Sequence, residues 1–302
     1  MSNTKIIDSH LHIWGDGSAP YPFASEDQIP PDALKQTSSV SDLLQKMDSA
    51  GVDGCMIVQP INYKFDHSYV ADVIAEYPEK FKGMMLFDPS VKVAEDAVKK
   101  VEQLLLQGFV GVRFNPYMFD GDMSEDGSSG LAVYKKCAEL KLPVGVMCFK
   151  GLGLHFDDIV ALIKKSPDTT LILDHFGFTR LMLFNENDDP SLVQEDFDKL
   201  LSLAQYPNVY IKISALFRIA DLKNGEDPYM DLKINRFDPI LKAFGCERIM
   251  VGTDFPFVQL EEIGYKGSIE TVASWCSDDN AKNWVLGGTA ERVFGPWGAT
   301  TS

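Results

Sequence analysis

Apolar positions along this chain follow two different periods, and the two alternate from one end to the other. Short apolar runs bounded by turn-forming residues are typical of buried strands, whereas apolar residues at i, i+3 and i+4 are typical of amphipathic helices. The predicted strands cover residues 5–12, 52–59, 81–88, 109–115, 142–149, 169–175, 208–214 and 248–254. The predicted helices cover residues 39–50, 66–77, 93–107, 129–140, 155–166, 194–206, 229–244 and 268–294.

Eight strand–helix units in 302 residues predict the α/β class and, within it, a (β/α)8 TIM barrel. An open, doubly wound sheet is the structural alternative, but no glycine-rich nucleotide-binding loop follows any predicted strand. No linker or change in composition divides the chain. We therefore expect residues 1–302 to form a single domain.

The predicted connections are short on one side of the strands and long on the other. Helix-to-strand links are short, with Gly108 leading directly into Phe109. The long strand-to-helix links cover residues 13–38, 116–128, 176–193 and 215–228. In a barrel these long loops gather at the carboxyl ends of the strands, where such enzymes hold their active sites.

Residues i and i+2 of a strand face the same way, which predicts the side chains that enter the barrel mouth. On the first strand these are Asp8, His10 and His12, whereas Ile7 and Leu11 face the surrounding helices. Two imidazoles at the end of one strand can hold a metal ion or contact a substrate oxygen.

The same alternation predicts polar side chains at the ends of four further strands. They are Arg113 and Asn115 on the fourth strand, His175 on the sixth above Leu171 and Leu173, Lys212 and Ser214 on the seventh, and Asp254 on the eighth. Polar strand ends above apolar strand interiors are typical of the site of a barrel enzyme.

The net charge of −16 argues against binding to nucleic acid or to an anionic membrane, and it leaves a small molecule as the expected partner. No apolar stretch approaches the length of a transmembrane helix, and no signal-peptide core precedes the first strand. The five cysteines have no metal-like spacing, which is typical of a reduced, cytoplasmic protein. The sequence leaves a homo-oligomer open.

His10, His12 and Asp254 together offer two imidazoles and a carboxylate, a set that suits zinc first and manganese second. A bound ion would lower the pKa of a coordinated water and so prepare it for attack. Without metal, Asp254 would act as a general base, and His10, His12 and His175 would donate hydrogen bonds to the substrate carbonyl oxygen. The residues alone leave both versions open.

Five motifs occur in a characteristic order: D-S-H-L-H-I-W, G-V-R-F-N-P, L-D-H-F-G, Y-I-K-I-S-A-L and G-T-D-F-P-F. The set resembles the amidohydrolase-related (family 2) hydrolases of the amidohydrolase superfamily, above all sugar-lactone and 2-pyrone-4,6-dicarboxylate lactonases. The resemblance extends from about residue 5 to residue 294.

The resemblance implies a role for each matching residue. It implies that His10 and His12 bind a divalent metal and that Asp254 binds the metal and shuttles a proton. It implies that His175 polarises the scissile carbonyl or activates water, and that Arg113 meets a substrate carboxylate. Metal-dependent relatives commonly carry a further histidine on the fifth strand, where residues 143–150 have none. The resemblance is therefore compatible with a metal-independent hydrolase as well.

Several residues have two interpretations. Arg113 could pair with Asp8 or Asp88 instead of with a substrate. Cys148 could be a thiolate ligand or a small buried hydrophobe, and Lys150 could bind substrate or lie at the surface.

Other candidates follow from their places at element ends. Asn115 and Arg218 are substrate-binding candidates, and Arg218 would be a second anion-binding arginine. His67 and His155 are predicted to be surface or helix-capping residues.

Together these patterns predict a hydrolase of a small, acidic lactone or related cyclic ester. A non-oxidative decarboxylase of an aromatic or muconate-type acid is the enzymatic alternative. A barrel that has lost its chemistry and kept a binding role is the non-enzymatic one.

Overall fold

The computed structural model describes residues 5–223 and 226–298, which form eight parallel strands in one sheet. The strands pair in sequence order from the first to the eighth, which confirms the predicted (β/α)8 barrel. They are β1 Ile7–Leu11, β2 Gly54–Val58, β3 Phe81–Leu86, β4 Phe109–Phe114, β5 Val144–Val146, β6 Leu171–Leu173, β7 Val209–Ile213 and β8 Ile249–Val251.

Helices separate consecutive strands and surround the barrel. They are α1 Asp32–Lys35, α2 Val40–Ala50, α3 Ser68–Glu76, α4 Ala94–Leu105, α5 Ser129–Leu140, α6 Phe156–Lys165, α7 Leu192–Ser202, α8 Leu216–Ile219, α9 Pro228–Leu232, α10 Asp238–Phe244, α11 Gly264–Trp275, α12 Asp279–Asn283 and α13 Thr289–Phe294. None of the helices within the described ranges is long and apolar enough to cross a membrane.

The last two predicted helices differ from those observed. The π-helical turn Lys233–Phe237 joins α9 to α10, so the predicted helix 229–244 is irregular in its middle. The predicted helix 268–294 is two separate segments, because the Asp278 side chain caps a new start by accepting from the Ala281 N–H. Apolar periodicity continues through such breaks, which is why it did not reveal them.

Contacts between the two ends of the chain close the barrel. Leu11 and Phe255 form a parallel bridge, and the His12 N–H donates to the Phe255 carbonyl at 2.7 Å. The buried Asp8 carboxylate accepts hydrogen bonds from the N–H and the hydroxyl of Thr253, at 3.0 and 2.6 Å. β1 and the residues after β8 are therefore fixed to one another, and the site residues that they carry are fixed with them.

The buried apolar residues form three clusters: a small one of Trp14, Leu34 and Tyr63, and two larger ones that are layers of the barrel. The larger layer lies between the strands and the helices, and the smaller layer fills the inside of the barrel. We call the smaller layer the apolar plug; among its members are Ile7, Met56, Val58, Met84, Ile172 and Met250. The plug occupies the interior below the strand ends, so polar groups can enter the barrel only above it.

A β-bulge in β1 overturns the predicted orientation of two residues. Asp8 pairs with Cys55 and Leu11 with Ile57, so β1 has one residue more than β2 over this stretch. The extra residue reverses the alternation, and Ile7 therefore points into the plug. Asp8 was predicted to enter the barrel mouth but points away from it. His10 lies inside the barrel and Leu11 faces the helices, both as predicted.

The predicted orientation of β6 was also wrong. Leu171 and Leu173 pack in the outer core, and Ile172 belongs to the plug. Asp174, the next residue of that inward face, therefore points into the barrel in place of His175. Since every residue of β6 is apolar and buried, its sequence contains no polar alternation from which to read the orientation.

Candidate active site

A cavity of about 240 Å³ opens at the carboxyl ends of the strands. Its volume is slightly below the range usual for small-molecule sites, which suits a compact ligand. Its lining consists of His12, Trp14, Gln59, Pro60, Ile61, Asn62, Leu86, Arg113, Asn115, Met147, Phe149, His175, Phe178, Arg218, Asp254 and Phe257.

His12 presents a nitrogen without a proton to this cavity. Its Nδ1 lies 2.8 Å from the Val58 carbonyl oxygen, which can only accept, so Nδ1 carries the proton and donates it. Burial is the main cause that holds the pKa of His12 well below its usual value, and the electrostatic effects of His10 and Arg113 add to it. The ring is therefore neutral, and its Nε2 lone pair lies 3.6 Å from Oδ1 of Asp254.

His10 lies deeper than His12 and is completely buried. Its Nδ1 is 3.2 Å from Oδ1 of Asp174, and its buried Nε2 has no hydrogen-bond partner among the described residues. Burial lowers the pKa of His10 to about 3, so the ring is neutral as well. Gly252 makes this packing possible, because a Cβ there would lie 2.9 Å from the His10 Cβ.

Asp254 follows β8 with a φ of +63°, a backbone conformation that strains most residues other than glycine. Its Oδ2 accepts a hydrogen bond from Nε of Arg218 at 2.8 Å. Burial raises the pKa of Asp254 to about 6, even though Arg218 acts in the opposite direction. A carboxyl group with this pKa is mostly ionised at neutral pH and remains basic enough to accept a proton.

His175 reaches the cavity through an unusual backbone conformation. Although the inward position of β6 belongs to Asp174, the φ of +51° at His175 turns the chain and brings the imidazole over the barrel. Nδ1 of His175 lies 2.8 Å from the Ser214 hydroxyl, and Nε2 lies 3.9 Å from Oδ1 of Asp254. Burial, followed by the proximity of His10, holds the pKa of His175 well below its usual value.

The three predicted metal-binding residues come together. One ligand atom each from His10, His12 and Asp254 all lie within 4.8 Å of one another. Both histidines have their Nδ1 beside an oxygen acceptor, which is the usual arrangement around metal-binding imidazoles. The unpartnered Nε2 of His10 and the unprotonated Nε2 of His12 therefore fit a divalent cation.

A buried charge network lies beneath the histidines. Asp174 accepts from Nε of Arg113 at 2.9 Å through Oδ2, and Nζ of Lys212 lies 3.5 Å from Oδ1. Burial disfavours the ionised carboxyl group, but His10, Lys212 and Arg113 act in the opposite direction, His10 most strongly, and together they hold the pKa of Asp174 well below its usual range. Arg113 thus pairs with Asp174, and not with either partner that the sequence suggested, Asp8 or Asp88.

The predicted substrate-binding residues divide into two groups. Arg113, Asn115 and Arg218 line the cavity, so their predicted roles are geometrically open to them. Lys150 does not line it; its ammonium group lies 5.3 Å from the centre of the Tyr117 ring, and its side chain borders a neighbouring cavity of about 350 Å³.

Three residues with uncertain interpretations lie away from the cavity lining. Cys148 is buried in the outer core, where burial raises the pKa of its thiol, so it is a small hydrophobe. His67 is buried and not a surface residue: its Nδ1 donates to the Phe65 carbonyl, and its Nε2 accepts from the Leu86 N–H. His155 precedes α6 but makes no capping hydrogen bond; its ring edge packs on Tyr117.

Sequence reasoning missed the function of two residues in this layer. The sequence presents Asp174 only as a letter of the L-D-H-F-G motif and Ser214 only as an inward-facing residue, yet each contacts an active-site imidazole. The signal for Ser214 was present, because it lies two residues after Lys212 on the inward face of β7. No such signal exists for Asp174, since the face of β6 cannot be read from its sequence.

A cavity at the carboxyl ends of eight parallel strands, with neutral imidazoles around a buried carboxylate, defines a (β/α)8-barrel enzyme. The chain belongs to the amidohydrolase family, whose model matches residues 7–295. This confirms the resemblance that the five sequence motifs indicated.

Two relatives and one solved structure resemble the chain over nearly its whole length. L-fucono-1,5-lactonase of Burkholderia multivorans is 32% identical, covering 95% of either chain. 4-Sulfomuconolactone hydrolase of Hydrogenophaga intermedia is 22% identical, covering 95% of this chain and 88% of its own. A candidate 2-pyrone-4,6-dicarboxylic acid hydrolase from Pseudomonas putida superimposes with a TM-score of 0.76 at 20% identity, covering 97% of this chain and 98% of its own.

Proposed function

We propose that this enzyme hydrolyses a small, acidic lactone. One observation carries the proposal: the buried Asp254 carboxylate lies within 4 Å of two neutral imidazoles and beside a cavity that Arg113 and Arg218 also line. The imidazoles and the carboxylate supply proton transfer, and the guanidinium groups supply affinity for an anion. The names of the two sequence relatives, both of which act on lactones, support the same reaction class.

Asp254 and His175 are the proposed catalytic residues. Asp254 accepts a proton from water as the water oxygen forms a bond to the lactone carbonyl carbon. When the ring C–O bond breaks, the same proton passes to the departing ring oxygen, directly or through His175. Because Arg218 donates to Oδ2 of Asp254, Oδ1 is the oxygen left both for this exchange and for a metal ion.

Zinc is the metal that we propose for His10, His12 and Asp254. When bound, such an ion polarises water and stabilises negative charge on the carbonyl oxygen. The metal-free version of the mechanism needs His12 to donate a hydrogen bond to the substrate. His12 has no proton available for this, since Nδ1–H is bonded to Val58 and the low pKa excludes a second proton. The hydrogen bonding of His12 therefore favours a ligand over a donor.

Arg113 and Arg218 are the proposed binding sites for an acidic substituent, with Asn115 beside them on the cavity wall. Lys150 remains a predicted contact only for a substrate long enough to reach the neighbouring cavity. A lactone suits the site better than an amide, because an alkoxide departs more easily than an amide nitrogen.

We also propose that the enzyme acts in the cytoplasm, because its five cysteines are free thiols, as is usual in a reducing compartment. The cysteine pattern carries this part of the proposal. A homo-oligomer remains an expectation, and size-exclusion chromatography with light scattering would test it.

The test is a panel of five- and six-membered lactones with and without a carboxylate. Hydrolysis of each is detected as acid release in a weakly buffered pH assay. We expect hydrolysis of a carboxylated lactone, loss of activity after chelation, and recovery on adding zinc. Asp254→Asn, which lacks the proton acceptor, is the control and should show strongly reduced activity. Release of carbon dioxide from an aromatic acid, without hydrolysis of any lactone, would instead identify a decarboxylase. Full activity after verified removal of metal would contradict the zinc proposal alone.

A further inference from the structure

Asp174 is a buried ion that the proposed mechanism does not use. Its side chain has no solvent exposure, and an ionised carboxylate in such a place is costly unless several donors surround it. Arg113 donates to Oδ2, while Nζ of Lys212 and Nδ1 of His10 both lie near Oδ1, at 3.5 and 3.2 Å. The carboxylate is thus held from both sides, and one of its three neighbours is a proposed metal ligand.

The position of His10 poses a choice between two tautomers. Its Nδ1 lies 3.2 Å from an oxygen of Asp174, which can only accept, and 3.4 Å from the ammonium group of Lys212, which can only donate. With the proton on Nδ1, His10 donates to Asp174, and Lys212 directs its protons to the same carboxylate oxygen and to the Met84 sulfur. With the proton on Nε2, Lys212 could donate to Nδ1, but the Nδ1 lone pair would face the Asp174 oxygen at 3.2 Å, and the buried Nε2–H would have no acceptor among the described residues.

We infer that Asp174 is a positioning residue that fixes the proton of His10 on Nδ1 and thereby leaves Nε2 unprotonated toward Asp254. Lys212 and Arg113 keep the carboxylate ionised and in place, so it can accept from His10 and cannot donate to it. The inference rests on the proposed function only where it concerns catalysis; the tautomer is a property of the folded protein in any case.

The three site histidines differ in how firmly their tautomers are fixed. The acceptor for His12 is a backbone carbonyl, and the acceptor for His10 is a carboxylate, so neither can supply a proton to Nδ1. The partner of His175 is the Ser214 hydroxyl, which can donate or accept. His175 can therefore exchange its proton between its two nitrogens, as a proton shuttle must, while His10 and His12 remain ligands.

Asp174→Asn tests the inference with almost no change in shape. The amide can donate to Nδ1 of His10, which would move the ring proton to Nε2 and aim it at the site. The direct readout is a long-range 1H–15N spectrum of protein labelled with 15N-histidine and dialysed against a chelator. His10→Gln identifies the signals of His10 among the five histidines of the chain.

We expect the wild-type spectrum to show His10 protonated on Nδ1, and the Asp174→Asn spectrum to show it protonated on Nε2, with His12 unchanged in both. Asp8→Asn is the matched control, because Asp8 is equally buried but contacts only the backbone N–H of His10; the ring of His10 should keep its wild-type tautomer. A wild-type His10 protonated on Nε2, or one that keeps its tautomer in Asp174→Asn, would overturn the inference.

Two further measurements separate positioning from stability. Zinc affinity, measured by competition with a chelating dye, should fall by about 10–100-fold in Asp174→Asn, the usual cost of losing an orienting partner. On whichever lactone the wild type cleaves, kcat should fall by about 10–100-fold with a smaller change in KM. If Asp174→Asn does not fold, the wild-type spectrum alone still decides the tautomer, and an enzyme that cleaves no lactone leaves that result unaffected.

Discussion

Two layers inside the barrel are built from the same strands and have opposite properties. The apolar plug contains only hydrophobic side chains, most of which lie on strands, as Met56 and Ile172 do, while the others come from α13 and from Trp297 after it. The layer above it, which we call the charged layer, contains His10, Arg113, Asp174, His175, Lys212 and Asp254, all buried. Apolar burial stabilises the fold by about 25 cal/mol per Å², whereas buried charges only offset their own desolvation.

Backbone strain follows the same division. Seven residues other than glycine have positive φ within the described ranges. Five of them follow β6, β7 or β8 at the mouth: His175, Phe176, Phe178, Ala215 and Asp254. Each such conformation costs of order 1–3 kcal/mol and persists only where surrounding contacts enforce it. The free energy gained by apolar burial in the plug therefore offsets the cost of backbone strain and of buried charge in the charged layer.

The largest expected effect comes from one atom of the charged layer. Asp254→Asn should lower kcat by about 10²–10⁴-fold, because the proton acceptor is lost. The midpoint of thermal unfolding should change little, since asparagine tolerates the positive φ found there. Steady-state kinetics on the best lactone and a thermal melt measure the two quantities. Activity close to that of the wild type would remove Asp254 from the mechanism.

The plug should respond in the opposite way. Met56→Ala should lower the free energy of unfolding by about 2–5 kcal/mol through loss of burial and formation of a cavity. At a temperature where the variant is folded, kcat should stay within a small factor of the wild-type value. Urea unfolding followed by circular dichroism measures the first, and kinetics at 20–25 °C, roughly room temperature, measure the second. A large loss of kcat in the folded variant would mean that the two layers are not separable.

His67, which lies outside both layers, should make the stability of the fold depend on pH. Burial lowers the pKa of His67 to about 4, while the unfolded chain titrates near its ordinary value of roughly 6.5. Between these values the unfolded state binds more protons, so stability falls as the pH decreases through this window, by a few kcal/mol at most. In His67→Gln, whose amide oxygen can still accept from the Leu86 N–H, that share of the acid sensitivity should disappear. Identical acid unfolding profiles of the two proteins would contradict the assignment.

The smallest effect tests the strain directly. Ala215→Gly should raise the free energy of unfolding by up to about 1 kcal/mol, because glycine adopts the φ of +52° without steric cost. Ala97→Gly in α4 is the matched control: it is a buried alanine in a helix and should lose about 1 kcal/mol. If both substitutions destabilise equally, the conformation at Ala215 is not strained.

The element pattern was predictable because burial acts on long segments. All eight strands lie within the predicted ranges, since each contains an apolar run flanked by turn residues. Whether an individual side chain points into the barrel or toward the helices was less predictable, because a single inserted residue reverses it. The bulge in β1 reversed Ile7 and Asp8, and the uniformly apolar β6 concealed the inward position of Asp174.

The candidate site followed the same division. His10, His12, His175 and Asp254 meet as predicted, because residues at the carboxyl ends of barrel strands converge whatever their exact side-chain conformation. The partners of those residues could not be predicted. The pairing of Arg218 with Asp254 depends on short-range geometry in loops, and so does the distance of Lys150 from the cavity.

The contacts between β1 and the residues after β8, which close the barrel, also determine when the site can form during synthesis. A ribosome releases His10 and His12 long before it adds Asp254, so the three proposed ligands coexist only after β8 has been made. Until Phe255 and Thr253 dock on β1, the nascent barrel has two open edges. Zinc uptake would therefore mark a closed barrel, and truncation before β8 would abolish it without touching either histidine.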